Sequence, residues 1–190
     1  CTSSSGTKAI QQEHGLIRMK NTDPYDQNAG SWTGTDPFST GPSGHETDPF
    51  EPDIPNQWVN KGHELVKKGS YKDAINCYNE ALKLNPNLPR AWCSKGYALI
   101  KLKKYKESHA CLDEALRINP RHVSCWTIKG WAFNCQNKHK DALVYLDRAI
   151  ELDPHYVDAW YQKHLALNDL NRKAEADVAL AKARELGFKG

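Results

Sequence analysis

The stretch PRAWCSKGYALIKLKKYKESHACLDEALRINPRH, residues 89–122, decides the fold. It holds two runs with helical patterning, separated by Lys103-Lys104 and followed by Asn119-Pro120. Because proline has no backbone N–H, it is best tolerated just past the end of a helix. The stretch is therefore predicted to fold as a helix, a short turn near Lys103-Lys104, and a second helix that ends before Pro120.

The landmarks of this stretch recur every 34 residues over residues 55–190. Four residue types keep this spacing without drift: Trp58, Trp92, Trp126 and Trp160; Gly62, Gly96 and Gly130; Ala81, Ala115, Ala149 and Ala183; Pro86, Pro120 and Pro154. A pair of helices cannot bury both of its faces, so such units must stack on one another. The predicted units are residues 55–88, 89–122, 123–156 and 157–190, with close helix approaches at Gly62 against Ala74 and at Gly96 against Ser108.

With these landmarks the array resembles the tetratricopeptide repeat family of the prokaryotic type, whose unit is a pair of antiparallel helices 34 residues long. The family skeleton appears in the second unit as Trp92, Lys95, Gly96, Leu99, Ser108, Leu112, Ala115 and Pro120. The resemblance implies an all-α, right-handed α-solenoid of four helix-turn-helix repeats. Lysine stands in all four units where the family often has leucine, and its stem is expected to lie along the helix pair. The fourth unit departs from the pattern, with His164 for glycine and Phe188 for proline.

Residues 1–54 are predicted to form an extended, non-globular tail. Gly, Ser, Thr, Asp and Pro dominate residues 21–55, and such a segment cannot bury enough apolar area to offset its ordering entropy. The motif Thr-Asp-Pro-aromatic nevertheless occurs at residues 22–25, 35–38 and 47–50. One reading is a spacer with an accidental repeat; the other is a row of docking motifs, because the ring projects from a stiffened backbone. The candidate docking residues are Tyr25, Trp32, Phe38 and Phe50.

The tail and the array carry opposite charge. Residues 1–54 hold three basic and eight acidic side chains (net −5), and residues 55–190 hold 23 and 15 (net +8). The last predicted helix, residues 173–186, is rich in alanine, and no polar helix is seen to follow it. Open ends make head-to-tail contacts, which close into rings or grow into filaments. The alternative is that Lys182, Arg184 and Glu185 keep this end soluble.

The resemblance also implies a binding surface, because the first helices of such arrays line a concave groove. The residues at groove positions that we single out are His63, Lys67, Arg90, Tyr97, Lys101, Thr127, Trp131 and Tyr161. Aromatic and arginine side chains dominate binding energy at interfaces, although ordinary helix packing would also account for the aromatic ones. Val59 and His63 occupy two positions of the Lys/Asn clamp that chaperone-binding members use, which argues against that partner.

Three functions are therefore open. The first is a non-catalytic, self-assembling structural subunit, whose acidic tail docks on neighbouring copies, up to a filament. The second is a monomeric or membrane-tethered scaffold that binds a foreign peptide or protein in the groove. The third is single-stranded RNA binding, with Tyr97 and Trp131 stacking on bases and Lys67 and Lys101 contacting phosphates. A net charge of +8 over the array is weak support for the third function.

The chain lacks the sequence signals of catalysis and of cofactor binding. It has no glycine-rich phosphate loop, HExxH or GxSxG motif. Its six cysteines form no CxxC pair, and five of them fall in helical patterns, where a thiol behaves as a small buried hydrophobe. Cys135 and His139 stand four residues apart without a second pair. No catalytic residue, cofactor or metal site is therefore predicted.

Cys1 stands apart from the other cysteines, because a polar stretch follows it as in mature bacterial and archaeal lipoproteins. Lipid on Cys1 would tether the protein at the cell surface, whereas a fragment boundary would look the same and leave it cytoplasmic. No apolar run approaches the roughly 20 residues that a membrane-spanning helix needs.

Overall fold

A computed structural model describes residues 53–189 and confirms the predicted all-α repeat architecture in this range. The eight helices are α1 (Ile54–Lys67), α2 (Tyr71–Leu84), α3 (Pro89–Lys101), α4 (Tyr105–Ile118), α5 (Val123–Asn134), α6 (His139–Leu152), α7 (Val157–Asp169) and α8 (Lys173–Glu185). They form four consecutive hairpins, which are referred to below as units 1 to 4. The predicted tail motifs and Cys1 lie outside the described residues.

The packing order of the helices gives the array its curvature. Each unit packs its two helices together, and α2, α4 and α6 each pack on the first helix of the following unit. The first helices α1, α3, α5 and α7 also contact one another in sequence, whereas the second helices do not. Successive first helices are therefore closer together than successive second helices. In a curved array the layer whose helices are closer together is the inner one, so the first helices line the concave side of the solenoid.

In units 1 to 3 a glycine allows the two helices of the hairpin to approach closely. A Cβ built on Gly96 would lie 2.8 Å from Cγ of Leu112, a side chain that is completely buried. Beside it, the hydroxyl of Ser108 donates a hydrogen bond to the carbonyl of Gly96 over 2.8 Å. The expected contact of Gly96 with Ser108 is thus confirmed. At Gly62 the nearest neighbour is the ring of Tyr78 rather than the expected Ala74.

Tryptophan and proline recur together because they hydrogen-bond each other across each junction between units. The indole N–H of Trp92 donates to the carbonyl of Pro86 over 2.8 Å, and the pairs Trp126–Pro120 and Trp160–Pro154 do the same over 2.9 Å. The bond joins the end of one unit to the first helix of the next. The 34-residue period of both residues therefore has one physical cause.

The lysines at the family's leucine positions lie over aromatic rings. The ammonium groups of Lys61, Lys95 and Lys163 lie 4.8, 5.2 and 5.5 Å from the ring centroid of the tryptophan three residues before. Lys129 lies 4.8 Å from the ring of Tyr145 instead and pairs with Asp113. Each ammonium group therefore has a cation–π contact. The expected course of the stems along the helix pair stays a prediction.

The second helices α2 and α6 pack on the following unit through one face, which is called the stacking face below. The corresponding face of α8 is polar. Leu82 of α2 belongs to a buried cluster that includes α3 residues, and Leu143 of α6 belongs to one that includes α7 residues. At the equivalent positions in α8 stand Arg184 and Asp177, both exposed. Next to α8, Phe188 stacks on Tyr161 of α7 with ring centroids 4.1 Å apart. The array therefore does not repeat its apolar stacking face on α8, which weakens the expectation of head-to-tail solenoid contacts.

None of the helices within residues 53–189 has the length and the apolar character that crossing a bilayer requires.

Candidate functional site

One end of the inner layer carries a partly buried polar network between α1 and α3. The guanidinium of Arg90 donates to Oδ1 of Asn60 over 3.2 Å and approaches Nδ1 of His63 at 3.4 Å. Nε2 of His63 lies 2.9 Å from the hydroxyl of Ser94. Because arginine can only donate, Nδ1 of His63 accepts and its Nε2–H donates to Ser94. The network fixes Arg90 at the groove with its positive charge partly accessible.

The middle of the inner layer holds an aromatic pair covered by a lysine. Tyr97 and Trp131 occupy the same position of adjacent units, so their rings meet, with centroids 5.3 Å apart and planes tilted by 33°. The ammonium of Lys101 lies 5.4 Å from the Trp131 ring and 5.9 Å from the Tyr97 ring. Only 6% of Tyr97 and 3% of Trp131 is exposed. Both rings are therefore almost completely covered.

The other predicted groove residues differ in how far their side chains are exposed. Lys67 is exposed and pairs with Glu64 on its own helix over 2.9 Å. Thr127 is buried, and its hydroxyl donates to the carbonyl of Val123 over 3.2 Å. Tyr161 is partly buried under Phe188. The cations among the predicted groove residues are therefore Lys67, Arg90 and Lys101, and Lys101 lies over the Tyr97–Trp131 pair.

Unit 2 and unit 3 also bring together three metal-ligating side chains that the sequence did not reveal. One ligand atom each from Cys93 of α3, from His122 just before α5, and from Cys125 in the first turn of α5 lie within 4.8 Å of one another. All three residues are buried, with 0%, 3% and 0% exposure. Cys135 and His139, the pair considered from sequence, belong to no such group in residues 53–189.

Burial sets the protonation of this cluster. It raises the pKa of the Cys125 thiol, to which the neighbouring Cys93 also contributes. It lowers the pKa of His122 to about 4, so the imidazole is neutral at physiological pH and keeps one nitrogen lone pair. The hydroxyl of Ser124 lies 3.4 Å from Nδ1 of His122. A neutral imidazole therefore faces two buried sulfur atoms.

Two family models match the chain. The model described as TPR repeat matches residues 62–103, and the model described as Tetratricopeptide repeat matches residues 89–122. No curated protein sequence matches the chain significantly.

Solved structures resemble the array at low sequence identity. TTC0263, a thermophilic TPR protein from Thermus thermophilus, is 21% identical with a TM-score of 0.66, covering 70% of this chain and 74% of its own. MamA from Desulfovibrio magneticus is 23% identical with a TM-score of 0.60, covering 70% and 76%. YrrB, described as a TPR protein with an unusual peptide-binding site, is 24% identical with a TM-score of 0.56, covering 71% and 70%. These likenesses show a shared fold.

Proposed function

Because this chain is a tetratricopeptide repeat protein, we propose that it acts by binding a polypeptide in its concave groove and has no catalytic role. The observation that carries the proposal is the set of cations on the first helices, at Lys67, Arg90 and Lys101, of which Lys101 covers the Tyr97–Trp131 pair. Such a set of cations suits an extended acidic segment. The described peptide-binding site of YrrB supports the general mode of action.

The chain itself contains a segment of this chemistry, and we propose that this segment is the partner. Residues 1–54 have a net charge of −5 and carry three Thr-Asp-Pro-aromatic motifs, whereas residues 55–190 have a net charge of +8. Exchange of this segment between copies would assemble the protein with itself. The polar face of α8, with Asp177 and Arg184, makes this tail-to-groove route better supported than stacking of solenoid ends.

A foreign acidic peptide is the alternative partner, and it would use the same groove residues. RNA binding has less support, because Tyr97 and Trp131 lie against each other and leave no open ring face for a base. Phosphate contacts alone would give only weak, sequence-independent binding.

The test is a charge reversal on each side in the full-length protein. Lys67→Glu with Lys101→Glu should reduce self-association in sedimentation velocity, and so should replacing Asp23, Asp36 and Asp48 by lysine. Mixing the two variants should restore association between unlike copies, because each brings one intact side of the contact. Lys72→Glu with Lys106→Glu is the matched control, since it makes the same charge change on the exposed side of α2 and α4.

The results of these experiments distinguish the chain's own acidic segment from a foreign peptide as the partner of the groove. Wild-type protein that remains monomeric at high concentration, yet binds a synthetic peptide of residues 21–54 in trans, would place the segment on its own groove. A wild-type protein that is monomeric and does not bind that peptide would contradict the self-recognition proposal and favour a foreign partner. Equal effects of groove and control variants would contradict the role of the groove.

A further inference from the structure

The position of the Cys93–His122–Cys125 cluster in the repeat shows that it is a local departure from a common pattern. Every junction between units brings the same three positions together, because successive units stack in the same way. At the junction of units 1 and 2 these positions hold Val59, Leu88 and Ala91, and at the junction of units 3 and 4 they hold Thr127, Tyr156 and Ala159. Only the middle of these three junctions carries two thiols and an imidazole. Because the first and third junctions pack with other residues at these positions, packing alone does not require two cysteines and a histidine at the middle junction.

We propose that Cys93, His122 and Cys125 bind one zinc ion between unit 2 and unit 3. Zinc takes thiolate sulfur at about 2.3 Å and imidazole nitrogen at about 2.0 Å, which puts ligand atoms about 3.5–3.8 Å apart in a tetrahedron. The observed ligand atoms lie within 4.8 Å of one another, so side-chain adjustments of about 1 Å close the site. A water molecule or a neighbouring oxygen completes the usual four ligands.

The charge balance selects the metal. Two thiolates and a neutral imidazole around Zn²⁺ have a net charge of zero, and a neutral centre avoids the large cost of burying an uncompensated charge. Cu(I) with the same ligands would leave one negative charge in a fully buried place. Mg²⁺ and Ca²⁺ prefer oxygen ligands. On binding, the two thiol protons are released to solvent and the sulfur atoms bond the metal.

The ion would join the first helices of two units. Cys93 belongs to α3, whereas His122 and Cys125 belong to the start of α5, so the metal would cross-link the inner layer at its middle junction. Binding to the folded state alone raises stability by mass action. This site is separate from the proposed groove function and can fail without it.

The test uses the full-length protein, reduced and stripped of metal, titrated with Zn²⁺ against a chromophoric chelator. One zinc per chain is expected, and Co²⁺ in its place should show thiolate-to-cobalt charge transfer in the near ultraviolet. Replacing His122 by leucine should weaken zinc binding by at least about 100-fold, since it removes a direct ligand. The triple variant Cys93→Val, His122→Leu, Cys125→Ala should bind no zinc. It is expected to fold, since these are the residues of the first junction.

Two control variants separate the cluster from the other thiols. Cys111→Ala removes a buried thiol of α4, and Cys135→Ser removes an exposed one; both should retain one zinc per chain. Zinc-induced protection against thermal unfolding should appear in these controls and disappear in the triple variant. Wild-type protein that takes up no zinc, or a triple variant that takes up as much, would overturn the proposal. So would a reduced protein without zinc affinity that forms a Cys93–Cys125 disulfide in air, because the cluster would then be a redox pair.

Discussion

Replacing Gly96 by alanine should destabilise the protein through one identified contact. The new Cβ would lie 2.8 and 2.9 Å from Cγ and Cδ2 of Leu112, which is completely buried and has little room to move. Overpacking of this kind costs about 1–3 kcal/mol, and the upper end applies where both atoms clash. Alanine gains about 1 kcal/mol over glycine in a helix interior. The free energy of unfolding should therefore fall by about 2 kcal/mol.

The same substitution should become stabilising once Leu112 is replaced by alanine. Without the leucine, the nearest remaining atom is the carbonyl oxygen of Ser108 at 3.5 Å, an ordinary contact. Only the helix propensity then remains, so Gly96→Ala should add about 1 kcal/mol in the Leu112→Ala background. The coupling energy of the two changes would be about 3 kcal/mol.

Urea unfolding of the four proteins, followed by far-ultraviolet circular dichroism, measures this cycle. The slope with urea should be the same for all four, so that the differences are differences in stability. Gly96→Ala with no effect in the wild-type background, or with the same loss in both backgrounds, would refute the assignment of Leu112 as the clashing side chain.

Three further predictions concern single positions. Trp92→Phe removes the indole donor to the Pro86 carbonyl and should lower the free energy of unfolding by about 1 kcal/mol in urea; an unchanged midpoint would contradict the role of that bond. Lys103→Gly should raise the free energy of unfolding by about 0.5–1 kcal/mol, because Lys103 has a φ of 59°, in the left-handed region that favours glycine. A lower free energy of unfolding in this variant would show that the backbone at Lys103 is not strained. Burial raises the pKa of Asp158 from 3.8 to about 6, so the folded state retains a proton that the unfolded state releases between these values. Relative to Asp158→Asn, the wild type should therefore become more stable by about 1–3 kcal/mol as the pH falls from about 7 to about 4, and thermal melts showing a constant difference would count against this burial.

The repeat period predicts the fold well because it reports on contacts inside each unit. Small residues recur where two helices cross, and in the second unit they are Gly96 and Ser108. Both lie on the same hairpin, so their contact follows from one stretch of sequence. The turn at Lys103 lies where the sequence predicts it for the same reason. The bond from Trp92 to Pro86 does not follow from the pattern, because spacing shows that two residues recur together without showing which atoms meet.

The candidate sites depend on contacts between units, and these are harder to predict. Tyr97 and Trp131 occupy groove positions in the sequence pattern, but residues 34 apart on the inner layer are direct neighbours, and their rings contact each other. A period shows which face of a helix points inward and leaves open how deeply a ring is covered. The remaining groove residues stay predictions that the charge-reversal variants test.

The metal-ligating cluster escapes detection in the sequence because its spacing follows the stacking of units rather than a local motif. Cys93 and His122 are 29 residues apart, which resembles no CxxC pattern, and they meet only because α3 and α5 are neighbours. Aligning the units with one another in the structure reveals the cluster, since the same three positions meet at each junction between units.

Differences between units therefore carry more information about function than the shared skeleton does. A residue that recurs through the array, such as the tryptophan at the start of each first helix, is explained by a contact that recurs with it, here the bond to proline at the three junctions. A position where one unit departs needs a cause of its own. Arg184 and Asp177 depart where α8 would otherwise present an apolar stacking face, and that favours assembly through the tail over assembly through solenoid ends. Cys93, His122 and Cys125 depart together at one junction, and three matched departures at three touching positions are better explained by one shared ligand than by three separate packing choices.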